Sequence, residues 1–202
     1  MPPTFSLLAI SARASLPLPW EDWLRALAAA GIGAVQLREK DLADRTLYEL
    51  ARHARAVLPP SVRLLVNGRA DVALAAGADG VHLPADGLPV AALRRRFGSG
   101  MLIGRSTHRL AEVARARDEG ADYVTFGPVY ATPGKGPPVG VGELARAAAA
   151  GIAVYALGGV TLEAFGELAG AGAAGIAAIR LFQETAHLVQ VAQAAEEHFH
   201  RA

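Results

Sequence analysis

The stretch AGIGAVQLRE (residues 30–39) decides how the chain is organised, because its pattern returns three times. The other copies are AGADGVHLP from Ala76, EGADYVTFGP from Glu119 and AGAAGIAAIR from Ala171. Each copy has a glycine suited to ending a helix in the left-handed conformation, then a small-residue turn and a run of Val, Ile or Leu. The pattern predicts a helix, a turn and a buried strand, repeated about every 45 residues.

Four further apolar runs, FSLLAI, VRLLVN, MLIGRS and IAVYALGG, alternate with these copies and bring the predicted strands to eight. The runs are apolar on both faces, as buried parallel strands are. Amphipathic stretches between them predict helices over residues 20–29, 42–57, 89–97, 110–119, 141–150 and 162–169, with a terminal helix over 184–199. We expect an α/β protein with a single (β/α)8 TIM-barrel domain over residues 1–202. An open doubly wound sheet is the alternative fold.

Composition narrows the classes of function. The 202 residues are 52% hydrophobic and 19% charged, with a net charge of +1, so the basic surplus typical of a nucleic-acid binder is missing. There are no cysteines, which rules out disulfides and thiolate metal sites. No apolar stretch approaches the roughly 20 residues of a membrane span. We expect a cytoplasmic protein without a nucleic-acid or membrane partner; a homodimer through the Ala-rich outer helices stays open.

In a TIM barrel the active site lies at the carboxyl ends of the strands. Gln36 and Arg38 alternate with apolar neighbours there, so both are expected to point into the barrel mouth. A basic group in that position needs an anionic partner. That partner is either an anionic substrate or, in the alternative, Glu39 or Asp71 in a salt bridge.

The GGVT turn after the seventh predicted strand indicates a phosphate site. Gly158 and Gly159 let backbone amides approach an anion, the next helix begins nearby, and the loops after strands 7 and 8 commonly bind phosphate in this fold. Ile179 and Arg180 follow the eighth strand and complete the expected site. A plain tight turn is the alternative. Lys135, in the TPGKGPP loop, either closes over a ligand or is a solvated lysine.

His108, in the stretch IGRSTH, is a candidate catalytic residue. Its alternative is an exposed imidazole at a helix start, with Ser106 or Thr107 as the better helix cap. His82 lies within the fourth predicted strand and is expected to be an interior or rim residue with its hydrogen bonds satisfied. The carboxylates predict no convincing metal site, because Asp86 alone is well placed at a strand end.

Taken in order, the motifs VQLREK, VNGRADVAL, GADGVHLP, IGRSTH, GADYVTFGPVYAT, ALGGVT and GAAGIAAI resemble the thiamine phosphate synthase superfamily. The resemblance implies a TIM barrel of thiamine biosynthesis. The synthases of this superfamily carry a magnesium-binding Asp where this chain has Gly68, and a second loop Thr where it has Gly134. The NGR and GRS.H motifs look instead like those of the TenI-type thiazole tautomerases.

The resemblance therefore implies an isomerase that aromatises a carboxythiazole phosphate, with His108 as proton shuttle and no cofactor. The substrate-binding and phosphate-binding residues implied with it are Gln36, Arg38, Lys40, Asn67, Ser106, Thr132 and Lys135, then Gly158, Gly159, Ile179 and Arg180. One alternative is a thiamine phosphate synthase that couples hydroxymethylpyrimidine diphosphate with thiazole phosphate, using magnesium held by Asp86. A second alternative is a non-catalytic regulatory or ligand-binding barrel.

Overall fold

Each strand pairs in parallel with the strands next to it in the chain, and the last strand closes on the first. The computed structural model describes residues 3–199. The strands are β1 (Leu7–Ile10), β2 (Ala34–Leu37), β3 (Arg63–Asn67), β4 (Gly80–Leu83), β5 (Leu102–Thr107), β6 (Tyr123–Phe126), β7 (Ala153–Leu157) and β8 (Gly175–Ala178). The closed eight-stranded barrel is the predicted fold, and it excludes the open doubly wound sheet.

A helix follows each strand and covers the outside of the barrel. The helices are α1 (Trp20–Ala29), α2 (Asp44–Val57), α3 (Ala70–Ala75), α4 (Val90–Phe97), α5 (Leu110–Asp118), α6 (Gly140–Ala148), α7 (Phe165–Gly170) and α8 (Leu188–Phe199). The prediction for α1 is confirmed at both ends. The prediction for the terminal helix is wrong at its start, because a separate 3-10 turn (Thr185–His187) precedes Leu188. None of the helices within residues 3–199 is long and apolar enough to cross a membrane.

The core has two layers because both faces of every strand are buried. The outward faces pack on the helices in one continuous hydrophobic cluster. The inward faces fill the barrel with a smaller cluster, whose largest members are Phe5, Tyr123 and Tyr155. Their rings are in mutual contact, with centroids 5.2–5.8 Å apart. The lower barrel is therefore a packed interior, and the active sites of this fold lie at the carboxyl end of the strands.

Two aspartates fasten the amino-terminal face of the barrel in the same way. Asp79 accepts hydrogen bonds from the Leu64 amide at 2.8 Å and from Arg55 at 2.7 Å. Asp122 accepts them from the Ile103 amide and from Arg94, both at 2.7 Å. Both aspartates occupy the same place in the repeated sequence, just before a strand. This face thus joins each aspartate to a neighbouring strand and to the helix packed beside it.

Candidate functional site

The predicted site residues all follow, or lie near, the carboxyl ends of strands, so they share one rim of the barrel. Burial divides them into groups. Gln36 is 1% exposed, whereas Arg38, Asn67 and Ser106 are half-buried. Those farther out along the loops are exposed: Lys40, Asp86, His108, Lys135 and Arg180. The rim therefore offers a buried polar floor with charged groups around it.

The end of β2 is held in place by a pair of buried polar residues. Ser11 donates to the Glu39 carboxylate at 2.6 Å and accepts from the Arg38 amide at 2.9 Å. The Arg13 amide donates to the same carboxylate at 3.0 Å. The Glu39 carboxylate is thus hydrogen-bonded to residues that follow β1. Asp71 forms a salt bridge with Arg69 at 2.6 Å. The alternative salt bridge of Arg38 with either acid is absent from residues 3–199.

The Arg38 guanidinium has no carboxylate within 4 Å in the described part of the chain. Beside it, the Gln36 side-chain nitrogen is buried and makes no hydrogen bond to any described residue. Thr125 of β6 presents a second buried polar atom of this kind, Oγ1. Buried polar groups normally find partners in native proteins. The mouth therefore has donors and a cation that suit an anionic, polar ligand.

His82 is 2% exposed and fully hydrogen-bonded inside the barrel, as predicted. Its Nδ1 lies 2.9 Å from the hydroxyl of Tyr123, and its Nε2 lies 2.9 Å from Oγ of Ser106. Burial, with smaller effects from Arg105 and Arg38, lowers the pKa of His82 to about 3. The imidazole is therefore neutral at any ordinary pH, and it links the packed interior to a hydroxyl in the mouth.

His108 follows β5 and has an exposed side chain, which is anchored at one nitrogen. Its Nδ1 lies 2.5 Å from the Gly127 carbonyl oxygen, and its amide donates to Glu112 at 2.7 Å. The prediction that Ser106 or Thr107 caps α5 is wrong. Both residues are inside β5, the capping position belongs to Arg109, and Thr107 donates to the Thr125 carbonyl at 2.9 Å. Because Thr107 bonds to the neighbouring strand β6, its hydroxyl does not cap α5.

The loops after β6 and β7 are joined to each other. The Tyr130 amide donates to the Gly158 carbonyl at 3.1 Å, and the Val129 amide donates to the Leu157 carbonyl at 2.9 Å. Within the loop after β6, the Thr132 hydroxyl donates to the Tyr130 carbonyl at 3.0 Å. Gly158 has φ +96, and a Cβ there would lie 2.6 Å from Pro128. Gly159 has φ +64, and a Cβ there would lie 2.8 Å from the Ala131 carbonyl oxygen, so both glycines meet a packing demand. A valine at 158 would damage the loop even if no phosphate bound there.

The next α-helix begins farther from this turn than predicted, at Phe165 instead of Leu162. A 3-10 turn (Leu162–Ala164) separates Gly159 from α7, which has six residues. After β8, Ile179 precedes another 3-10 turn, Arg180–Phe182. A short extra helix after strand 8 is a common part of phosphate sites in this fold. The role of Gly158, Gly159, Ile179 and Arg180 thus stays a prediction, now resting on loop position.

Asp86 lies in the loop after β4, and Arg105 holds that loop. The Arg105 guanidinium donates to the carbonyls of Leu88 at 2.6 Å and Ala85 at 2.7 Å. Asp86 itself has no basic group within 4 Å among residues 3–199. No group of three or more metal-binding side chains occurs in that range. The site therefore supplies one available carboxylate, not a complete protein cage for a metal ion.

Gly68 and Gly134, the two departures from the synthase pattern, both have left-handed backbone. Gly68 has φ +70 and Gly134 has φ +74. Gly134 follows Pro133 in a turn that is closed by the Lys135 amide on the Thr132 carbonyl at 3.1 Å. A Pro-Gly pair in the centre of a turn suits that backbone. Glycine at these positions is explained by turn geometry, so it is weak evidence about the reaction.

Two residues of the rim, Ser11 and Thr125, and one residue of the packed interior, Tyr123, were not predicted from the sequence. Ser11 and Thr125 were missed because a lone hydroxyl in an apolar run reads as part of the strand. Tyr123 was not singled out among the residues of the sixth predicted strand. A signal was available for Ser11, since it is the first polar residue after β1, where the other strands carry their site residues.

The whole arrangement defines a TIM-barrel protein with a polar mouth at the carboxyl ends of its strands. The family described as thiamine monophosphate synthase matches residues 7–182, so the chain belongs to that family. A thiamine-phosphate synthase of Anaeromyxobacter dehalogenans is 44% identical over 143 residues, which are 69% of this chain and 64% of that protein. One of Methanoculleus marisnigri is 44% identical over 145 residues, 69% of each chain. The chain thus spans slightly less than two thirds of the first relative.

A solved structure agrees with these relatives. Thiamine phosphate pyrophosphorylase from Pyrococcus furiosus superposes with a TM-score of 0.82 at 28% identity, covering 95% of this chain and 96% of that one. The prediction of a TenI-type thiazole tautomerase, an isomerase, is wrong by these comparisons, because the relatives carry the name of the synthase. The proton-shuttle role of His108 and the expectation that no cofactor is required lose their basis with it. The prediction was wrong because the absence of an Asp at Gly68 and of a Thr at Gly134 was taken to mean that synthase activity had been lost.

Proposed function

We propose that the chain is a thiamine phosphate synthase, a transferase that joins hydroxymethylpyrimidine diphosphate to thiazole phosphate. In this coupling the bond from the pyrimidine methylene carbon to the diphosphate oxygen breaks. A new bond forms from that carbon to the thiazole nitrogen, and diphosphate leaves. Both substrates are phosphorylated small molecules, as the family implies.

The observation that carries the proposal is the Arg38 guanidinium, which stands at the mouth without a carboxylate partner in the described residues. Its half-buried position makes an unpaired charge costly unless a ligand supplies the anion. Guanidinium matches phosphate oxygens with paired hydrogen bonds. Two phosphorylated substrates and a leaving diphosphate are ligands of that type.

Magnesium would be held at this site by one protein carboxylate together with the diphosphate of the substrate. Because Mg²⁺ keeps several waters and binds through one or two carboxylates plus substrate phosphates, Asp86 and a diphosphate would suffice as its anchors. Magnesium bound there would neutralise charge on the leaving diphosphate. The glycine at 68 removes the second carboxylate, so we infer weaker binding of the ion before the diphosphate arrives.

The residues of the rim divide the remaining work. Arg38 and Lys135 attract and hold the phosphates, and Gln36, Asn67 and Ser106 supply hydrogen bonds that orient the rings. Gly158, Gly159, Ile179 and Arg180 receive the phosphate of the thiazole. Orientation is a large part of this reaction, because two bound rings must meet in line with a departing group.

The test is direct coupling of the two substrates by the purified chain. With Mg²⁺ present, we expect thiamine phosphate and diphosphate to appear in equal amounts, and EDTA to stop both. Thiochrome fluorescence and a diphosphate assay follow the two products separately. A chain that binds both substrates but releases neither product would refute the proposal and favour the non-catalytic barrel.

A further inference from the structure

A line of three side chains runs from the packed interior to the mouth. Tyr123 of β6, His82 of β4 and Ser106 of β5 are joined through the two ring nitrogens of the histidine, at 2.9 Å on each side. The two rings lie 5.5 Å apart between centroids. Tyr123 is fully buried, whereas Ser106 is half-buried and reaches the rim.

The positions of the hydrogen atoms along this line follow by elimination. Burial raises the pKa of Tyr123 well above its usual value, so the phenol keeps its proton. Within residues 3–199 the hydroxyl has one hydrogen-bond partner, Nδ1 of His82. A buried O–H without an acceptor is costly, so Tyr123 must donate and Nδ1 must accept. A neutral imidazole has one N–H, which then lies on Nε2 and donates to Ser106.

We propose that Tyr123 and His82 are positioning residues that fix Ser106 as a hydrogen-bond donor to the substrate. Because Nε2–H occupies a lone pair of the serine oxygen, the serine proton points away from the histidine toward the mouth. The matching ligand group is an acceptor, such as an unprotonated ring nitrogen or a phosphate oxygen. This inference rests on the proposed function for the identity of the substrate, but the hydrogen-bond order is a property of the protein alone.

Packing at Gly104 also fixes the position of the Tyr123 hydroxyl. A Cβ on Gly104 would lie 2.1 Å from Cζ and 2.4 Å from the hydroxyl oxygen of Tyr123. The phenol therefore occupies the space that a side chain at 104 would take. Glycine in the IGRSTH stretch thus keeps the tyrosine hydroxyl in line with the histidine.

The first experiment measures the tautomer of His82 directly. Long-range ¹H–¹⁵N spectra of the histidine-labelled protein separate the two neutral tautomers and the charged form. We expect the Nε2-protonated form of His82 from pH 5 to pH 8, identified by the loss of its signals in His82→Gln. A proton on Nδ1, or a charged ring, would overturn the proposal. Synthase activity is not needed for this result, so it separates the failure of this inference from the failure of the proposed function.

The second experiment measures whether the hydrogen bonds from Tyr123 through His82 to Ser106 affect the rate of the reaction. We expect Tyr123→Phe to lower kcat about tenfold with little change in KM, because one ordered hydrogen bond is lost. Ser106→Ala should behave alike, and the double variant should be no worse than Ser106→Ala alone. His82→Gln, which retains an N–H donor, should keep more activity than His82→Leu. Effects that add in the double variant would contradict the proposal.

Tyr155→Phe is the matched control. Its phenol is also buried in the barrel, but it donates to the Phe5 carbonyl at the other end. We expect a loss of thermal stability similar to that of Tyr123→Phe, with kcat unchanged. An equal fall in kcat for both variants would assign the effect to core packing and overturn the positioning role. If Tyr123→Phe fails to fold, the tautomer in the wild-type protein still decides the question.

Discussion

The two ends of the barrel differ in the pairing of their charges, because some charges at the carboxyl end have no partner of opposite charge. At the amino-terminal face, Asp79 and Asp122 each meet an arginine and a strand amide at 2.7–2.8 Å. At the carboxyl-terminal mouth, Arg38, Asp86 and Lys135 have no opposite charge within 4 Å in the described chain. Satisfied charges hold strands and helices together, whereas unsatisfied charges are available to a ligand. The comparison predicts that substitutions at the base affect stability and those at the mouth affect activity.

The largest effect is expected at the base. Asp79→Ala should lower the free energy of unfolding by about 3 kcal/mol, because it removes the carboxylate that pairs with Arg55 and Arg63 and leaves the Leu64 amide unpaired. Asp118→Ala, which removes an exposed pair with Arg117, should cost well under about 1 kcal/mol. Urea unfolding of both variants is the measurement. Equal losses would remove the distinction between the clamp and an ordinary surface pair.

At the mouth, Arg38→Met should lower kcat/KM about 100-fold and leave the melting temperature nearly unchanged. Methionine keeps much of the length of the side chain and removes the charge. Arg45→Met is the control, since Arg45 is an exposed arginine of α2 paired with Glu49. Steady-state kinetics and a thermal melt on the same samples check the result. A large loss of stability without a loss of activity would place Arg38 with the structural charges.

A smaller effect is expected at Gly68, the position where the synthases carry a magnesium-binding Asp. Gly68→Asp should lower the Mg²⁺ concentration for half-maximal rate about tenfold by adding a carboxylate next to Pro84, at the start of the loop that carries Asp86. A Cβ at 68 lies 3.7 Å from Pro84, which is ordinary contact, and aspartate tolerates left-handed backbone better than most residues. Gly68→Asn carries the same backbone cost without the charge. If both variants respond alike to Mg²⁺, the ion does not reach this side of the mouth.

The smallest effect concerns His82, which lies between the two ends. Its folded pKa of about 3 is below the unfolded value near 6.5, so the unfolded chain binds an extra proton between these values. Its contribution to stability is complete above pH 6.5 and declines as the pH falls toward 3. From pH 6 to pH 5, the wild type should lose about 1 kcal/mol more than His82→Gln. Parallel stability curves for the two proteins would contradict the burial effect.

The fold could be predicted from the sequence because its repeat is local. A glycine, a turn and an apolar run set each strand, and eight strands of this kind with short connections leave few arrangements. Helix starts were less certain: α2 begins at Asp44, two residues after the predicted position, and α8 begins after a separate turn. Competing polar contacts at helix ends decide such details, and the sequence alone does not rank them.

The sequence predicted that the candidate residues share one rim, but it did not predict the reaction correctly. Strand order placed the polar residues on one rim, and the interior role of His82 is confirmed. The choice of reaction was wrong because the absence of a side chain at Gly68 and Gly134 was read as a loss of function. Their positive φ angles show another reason for glycine, and no periodic pattern in a sequence reports a dihedral angle. Likewise, the partner of Ser106 became visible only when β4 and β5 were side by side.

Arg105 has a consequence for how binding to this barrel should depend on ionic strength. Its guanidinium holds the Asp86 loop through carbonyl oxygens at 2.6–2.7 Å rather than through a carboxylate. Added salt screens attraction between charges, and it acts much less on short hydrogen bonds to neutral groups. The loop should therefore keep its place from dilute buffer to molar salt. A fall in substrate affinity over that range would then measure the long-range attraction of the mouth for anions.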